Sequence, residues 1–321
     1  MSSQTNTLTE GPLAKQIFLV SLPLALSNLL QVLFNMSDVA VVGRFAGSTA
    51  LGAVGSTSTL VTLFTGFLIG LSNGINVLVA RFYGARHPKD VEKTVHSAAI
   101  ISAVAGVALL LIGLLGSPAM LRLLNTKEDL LPGAILYLRV YFLGMPALAL
   151  YNFGNAVFSS IGDTKKPLMY LSIAGALNIA LNLFFVIVCD LSVVGVALAS
   201  AISQCVSAFL VLRALTRVQD CYALDFHKVA LDPATTQRIL ALGLPAGFSA
   251  AVGLVSVFCG ATNTLIPSIL LAYELFGGDS LALFALPVTV AYMLSGYYGL
   301  YSEQKIIYSK LKPRFIDRKT K

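Results

Sequence analysis

Residues 17–43 read IFLVSLPLALSNLLQVLFNMSDVAVVG, an apolar run with a single charged side chain, Asp38. About 20 consecutive apolar residues cross a bilayer as a helix, so this run alone predicts a membrane-spanning segment. A carboxylate held in hydrocarbon costs roughly 2.5 to 3.5 kcal/mol on insertion scales, which demands a compensating role or a different placement. Two placements answer that demand. At 1.5 Å per residue, position 38 lies about 30 Å along a helix starting near residue 17, where a helix-end carboxylate reaches the outer headgroups. Alternatively, the group faces the interior of a helical bundle as a protonatable site, because ionisable residues inside membranes mark ion and proton paths.

The rest of the chain has the same character. Of 321 residues, 56% are hydrophobic and 12% charged, whereas soluble domains average about 25% charged residues; the mean hydropathy is +0.81. The first run is longer than the apolar core of a signal peptide, about 7 to 15 residues, and no small-residue cleavage site follows it, so it is expected to stay in the mature chain. With that run as 17–42, further candidate spans lie at 50–80, 95–120, 133–158, 167–189 and 192–214. Short polar breaks between them predict closely packed antiparallel helices.

The basic balance, +7 with a pI near 9.2, is explained by membrane topology rather than by nucleic acid. With the N-terminus in the cytoplasm, eleven Lys and Arg face inward: Lys15, Arg81, Arg86, Lys89, Lys93, Lys165, Lys166, Arg213, Arg217, Lys228 and Arg238. Only Arg44, Arg122 and Lys127 then face outward. The positive-inside rule favours this orientation in the cell's inner (plasma) membrane.

Cys189, Cys205, Cys221 and Cys259 lack CxxC spacing, and three fall in or beside apolar runs, as small hydrophobes do. His87, His96 and His227 are scattered. With no metal cluster, P-loop or nucleophile–base pair, no enzyme is implied. Gly66, Gly70 and Gly74 recur every four residues and predict a smooth strip for helix contact. Asn178 and Asn182, also four apart, share one helix face.

After a long basic loop, RILALGLPAGFSAAV echoes QIFLVSLPLALSNLL, placing Leu244 and Pro245 on Leu22 and Pro23. This reads as the opening of a second structural repeat. The echo then stops, with Val257 opposite Asn35 and Gly260 opposite Asp38. Shorter apolar pieces follow at about 250–260, 265–276, 281–296 and 299–308, so the character of the chain changes near residue 248.

Five motifs in order, SLP (21–23), NMSDVAVVGR (35–44), GLSNGINVLVARFYGAR (70–86), IGDTKKP (161–167), and NIALNLFFVI with GVALASAISQ (within 178–204), carry a family resemblance. Residues 10 to about 248 resemble the N-terminal lobe of a multidrug and toxic compound extrusion (MATE) transporter. That family has two six-helix lobes; the resemblance implies that this chain supplies the first lobe and the start of a seventh helix, with the second lobe absent. It implies cation-coupled export, by H+ or Na+, of small amphipathic or cationic drug-like substrates, with Asp38 as the coupling acid and Pro23 at a kink of the first helix. Asn152, Asn155 and Asn178 match polar positions around the family's cavity. Asn182 stands where some members carry aspartate, and Ser200 where they carry threonine, which leaves one acid in the cavity. The asparagines are equally readable as hydrogen-bonded helix glue.

Residues from about 249 to 321 resemble the last helices of a CLC-type chloride channel or antiporter, through GATNTLIPSILLAYELFG and GYYGLYSEQKIIYSKL. There Tyr301 matches a tyrosine that faces the central anion, as a vestigial contact, because the family's other anion-binding loops and its gating glutamate are missing. The basic tail is expected to lie in solvent and to touch anionic lipid.

The expectation is therefore an all-α integral membrane protein. Residues 1–248 form a six-helix MATE-like lobe plus the start of a seventh helix, and 249–321 form a few shorter CLC-like helices and a cytoplasmic tail. The leading function is a cation-coupled multidrug antiporter, inactive if the second lobe is missing. The alternatives are a chloride transport fragment or a nonfunctional chimeric membrane protein. A homodimer would supply two lobes, and no cofactor is expected beyond the coupling ion, H+ or Na+.

Overall fold

Runs of apolar residues too long for strands fold as helices throughout the lobe. The computed structural model describes residues 13–262 apart from 125 and 229, and beyond them 289, 305–308 and 315–319. Among the described residues, helices are laid out in the order α1 (Leu13–Phe45), α2 (Gly47–Gly84), α3 (Pro88–Leu123), α4 (Leu131–Phe142), α5 (Met145–Ser160), α6 (Lys165–Leu183), α7 (Ser192–Thr216) and α8 (Pro233–Thr262). Contacts divide the chain into two units, Met1–Ala246 and Gly247–Lys321.

Among the described residues, four helices are long and apolar enough to cross a membrane: α2, α3, α6 with its extension to Val188, and α7. The pair α4 and α5, bent by 46°, makes a fifth if taken as one span. The first expected span is the 33-residue α1.

Two departures from uninterrupted spans have local causes. The fourth span, expected to run 133–158, breaks between Phe142 and Met145. Pro146 lacks an N–H and its ring crowds the carbonyl four residues back, so it sits in the first turn of a new helix instead. The fifth span passes from α6 into a π turn over Phe184–Val188, where the Cys189 N–H donates to the Phe184 carbonyl five residues back at 3.1 Å. Asp190 and Ser192 then take positive φ, at 52° and 45°, which ends the helix.

Pro23 and Pro245, paired in the sequence echo, both lie inside helices, α1 and α8. Helix α1 runs through Pro23, whose carbonyl accepts the Ser27 hydroxyl at 2.9 Å. Asp163, in the α5–α6 turn, pairs with Lys166 at 2.6 Å.

Packing is centred on α5, which touches α2, α3 and α7, while α1 packs against α2 and α6. Two apolar clusters fill the lobe. One is built around Tyr137, Phe142 and Val42, the other around Tyr151, Phe153 and Phe158. The small-residue strip on α2 lets backbones meet: a Cβ added at Gly74 would lie 2.5 Å from the Gly243 nitrogen of α8.

In the C-terminal unit, Lys305–Tyr308 and Phe315–Lys319 are two strands, paired antiparallel. The expectation of a helix through 305–308 therefore meets a strand there, in the β-branched run KIIY. The 250–260 piece is the end of α8; Tyr301 and the rest of the CLC-like region, apart from residue 289, lie outside the described residues.

Candidate functional site

Asp38 lies on the C-terminal half of α1 and is 4% exposed, enclosed by the lobe rather than open at a helix end. Helices α6 and α7 bring it hydrogen-bond donors. The Asn182 amide nitrogen of α6 donates to one carboxylate oxygen at 2.6 Å. The Ser200 hydroxyl of α7 donates to the other at 2.8 Å. Behind them, the Asn182 side-chain amide also donates to the Asn178 side-chain oxygen at 3.2 Å, and the Asn178 side-chain amide donates to the Ser200 hydroxyl at 3.2 Å. The four-residue spacing on α6 makes this possible, since it stacks Asn178 and Asn182 on one face.

Direct donors thus hold both carboxylate oxygens, and among the described residues no lysine, arginine or histidine pairs with the group. One acceptor is left over: the Asn182 side-chain oxygen is buried without a hydrogen-bond partner among the described residues. An orphan acceptor in a low-dielectric site costs about 1–3 kcal/mol. Asn182 and Asp38 together therefore present an acceptor-rich locus suited to a proton or a small cation.

Asp38, Asn178 and Ser200 open on a cavity of about 80 Å³, which Asn182 backs without lining; Gln31, Thr65, Tyr141, Tyr151 and Gln204 line it too, with apolar side chains around them. Drug-sized ligand pockets span about 300–1,000 Å³. In this conformation the cavity has room for water and an ion.

The sequence-based candidates separate into two groups. Asp38, Asn178, Asn182 and Ser200 come together. Asn152 and Asn155 do not join them. The Asn152 amide is turned to its own helix, donating to the Leu148 carbonyl at 3.0 Å, and the Asn155 oxygen accepts from Ser159 one turn on, at 3.3 Å. Neither lines the cavity, to which α5 presents Leu148 and Tyr151 instead. Pro23 is buried on α1, fifteen residues before Asp38.

Gln31, Thr65, Tyr141 and Gln204 were not singled out from sequence. Gln31 and Gln204 carried a signal, as lone amides within apolar runs; Thr65 and Tyr141 read as ordinary helix residues. Among the described residues, no group of three or more His, Cys, Asp or Glu side chains is placed to hold a metal. Cys189, Cys205 and Cys221 are free thiols.

Membrane-length helices thus enclose a buried carboxylate that, among the described residues, is held by neutral donors alone, and they define a helical membrane protein with a charge inside its bundle. Residues 23–184 match the MatE family model, and the chain belongs to that family. It is 31% identical over 256 residues to "Probable multidrug resistance protein YpnP" of Bacillus subtilis, covering 76% of this chain and 54% of the relative. It is 31% identical over 242 residues to "Probable multidrug resistance protein YoeA" of the same organism, covering 73% and 51%. The chain thus spans about half the length of these curated relatives.

Among solved structures, it matches an outward-facing multidrug resistance MATE family transporter of the MOP superfamily. The TM-score is 0.74 at 22% identity, over 92% of this chain and 67% of that one. The fold of MATE in the bent conformation matches equally, at 0.74, 22%, 92% and 65%. At such identities these likenesses concern the fold.

Proposed function

We propose that this chain works in cation-coupled export of small amphipathic or cationic drug-like molecules, with Asp38 as the coupling carboxylate and H+ or Na+ as the coupling ion. The observation that carries this reading is a carboxylate 4% exposed, held by Asn182 and Ser200 rather than by a cation. The multidrug names of its relatives support the substrate class.

The physical scheme is a competition for one negative charge. When the ion binds, Asp38 is neutralised and the helices that meet at it, α1, α6 and α7, pack in one arrangement. When the ion leaves, the charge favours an arrangement in which the cavity widens and takes an organic cation. Driving such an exchange from 1:99 to 99:1 takes about 5.5 kcal/mol of differential affinity. A full charge in a low-dielectric site supplies energies of that order. Asn178 and Asn182 set the geometry, and their side-chain oxygens are the ligands that Na+ would use. The excess of Lys and Arg in alternate connections supports a plasma-membrane protein with its N-terminus in the cytoplasm.

The test is uptake of a fluorescent organic cation by inverted vesicles containing the full chain, under an imposed proton gradient or an imposed Na+ gradient. Uptake driven by one gradient and lost in Asp38→Asn, at equal protein abundance, is the expected result. Equal gradient-driven uptake by wild type and Asp38→Asn would sink the reading.

A further inference from the structure

Far along the chain from the Asp38 network, the segment joining α7 to α8 folds back over the lobe as a strap, residues 217–232. Its underside is apolar. Tyr222 and Leu224 are buried in the second core cluster. The Tyr222 ring meets those of Tyr83 and Phe158 edge-on at 6.3 and 6.4 Å. The Leu224 N–H returns to the Leu215 carbonyl at the end of α7, at 3.2 Å.

Two consecutive residues of α3 hold the backbone on either side of the outer loop. The Asp225 N–H donates to His96 Nε2 at 3.2 Å, and the Asp232 N–H donates to the Ser97 hydroxyl oxygen at 3.1 Å. Asp232 in turn caps α8, its carboxylate accepting from the Thr235 N–H at 2.9 Å and the Thr235 hydroxyl at 2.6 Å. The strap therefore ties the start of α3 to the start of α8.

The two bonds of His96 define its protonation state. Its Nδ1 lies 2.7 Å from the Glu92 carbonyl oxygen, which can only accept, so Nδ1 carries the proton. Its Nε2 receives an N–H, so it must present a bare lone pair. Only the neutral Nδ1–H tautomer makes both bonds. The ring is 3% exposed. A proton added at Nε2 would face the Asp225 N–H, removing the bond and setting two donors against each other.

We propose that His96 and Ser97 form a pH-sensitive clasp, in which protonation of His96 releases the strap and loosens the anchor of α8 on α3. The sign follows from proton counting. The released strap leaves Nε2 free to bind a proton that the docked strap excludes, so docking weakens as pH falls.

The surrounding charges are arranged to leave His96 as the switching group. On α3, Glu92 lies 3.5 Å from Lys228 of the strap, and Lys93 lies with Arg238 of α8 near the Asp232 carboxylate. On the strap, Asp225 accepts from the His227 N–H at 3.0 Å, which holds its carboxyl below the usual range. Arg217, Asp220, Cys221 and Tyr222 complete the strap's titratable groups, and Tyr83 is the neighbour from α2. Among the described residues the exposed His227 pairs with Asp225, a contact inside the strap rather than one to α3.

The clasp is tested by hydrogen exchange of the strap amides in the full-length protein in lipid nanodiscs, at about pH 8 and about pH 5 after correction for intrinsic exchange. Loss of one net hydrogen bond predicts a fall in protection of roughly three- to tenfold at the lower pH. His96→Gln, whose amide donates and accepts at any pH, should abolish the pH dependence. Ser97→Ala should lower protection at both pH values and retain it. His227→Gln should leave it intact. Wild-type protection equal at the two pH values, a pH dependence surviving in His96→Gln, or one lost in His227→Gln would each overturn the clasp. None of these readouts depends on transport, so they stand or fall apart from the export reading.

Discussion

Asp38 and His96 are almost equally enclosed, at 4% and 3% exposure, yet they are satisfied in opposite ways. Among the described residues, Asp38 is held by side chains from two other helices. Among the described residues, His96 bonds to backbone, the Glu92 carbonyl and the Asp225 N–H. A network of side chains across helices can re-form in a second packing, because each partner has its own rotamers. A ring wedged between two backbone groups has one geometry and one protonation state. The first arrangement suits an exchange site, the second a latch.

Substitutions can break this contrast or sharpen it. The largest effect is expected for Asp38→Asn, which removes the charge while keeping the shape: gradient-driven export should vanish, measured as vesicle uptake at matched abundance. Ser200→Ala should come next. It deprives one carboxylate oxygen of its donor, a loss of about 1.5–3 kcal/mol for a bond to a charged group, so coupled uptake should fall roughly tenfold or more. If Ser200→Ala behaves as wild type, the network around Asp38 is helix glue.

Gly74→Val probes the helix contact into which the strap leads. The added Cβ would lie 2.5 Å from the Gly243 nitrogen, so α2 and α8 must separate. Overpacking of this kind costs about 1–3 kcal/mol and should lower the thermal unfolding midpoint in detergent. Gly55→Ala, where nothing lies within 4 Å, should leave that midpoint in place. The smallest effect is expected for Asn152→Ala, which removes one bond within α5, worth about 1 kcal/mol, with uptake unchanged. Uptake as low as in Asp38→Asn would instead place Asn152 in the exchange site.

Much of the lobe was legible from residue patterns. Apolar runs of membrane length marked the helices, since no other backbone arrangement satisfies its own hydrogen bonds over a continuous lipid-length stretch except a closed barrel. The four-residue spacing of Asn178 and Asn182 placed them on one face because the helical period requires it. The break at Pro146 was hidden inside a run of uniform hydropathy, which is blind to a missing N–H. Asn152 and Asn155 match cavity positions of the family, and a sequence match does not fix which face of α5 turns to the cavity. Gln31 and Gln204 were visible as isolated amides in apolar surroundings, but which faces they occupy depends on how six helices rotate against each other. His96 looked like a stray histidine, since its partner is a backbone N–H 129 residues away and backbone groups carry no sequence signal.

By itself, then, the sequence determined that this chain is a multi-span membrane protein, which family it belongs to, and that Asp38 is the charge to explain. Those properties reside in composition, period and residue identity. Only the tertiary structure decided that Asn182 and Ser200, 144 and 162 residues away, close on that carboxylate while Asn152 turns aside. Hydrogen bonds act over about 3 Å, and only helix packing brings positions so distant in the chain within that reach.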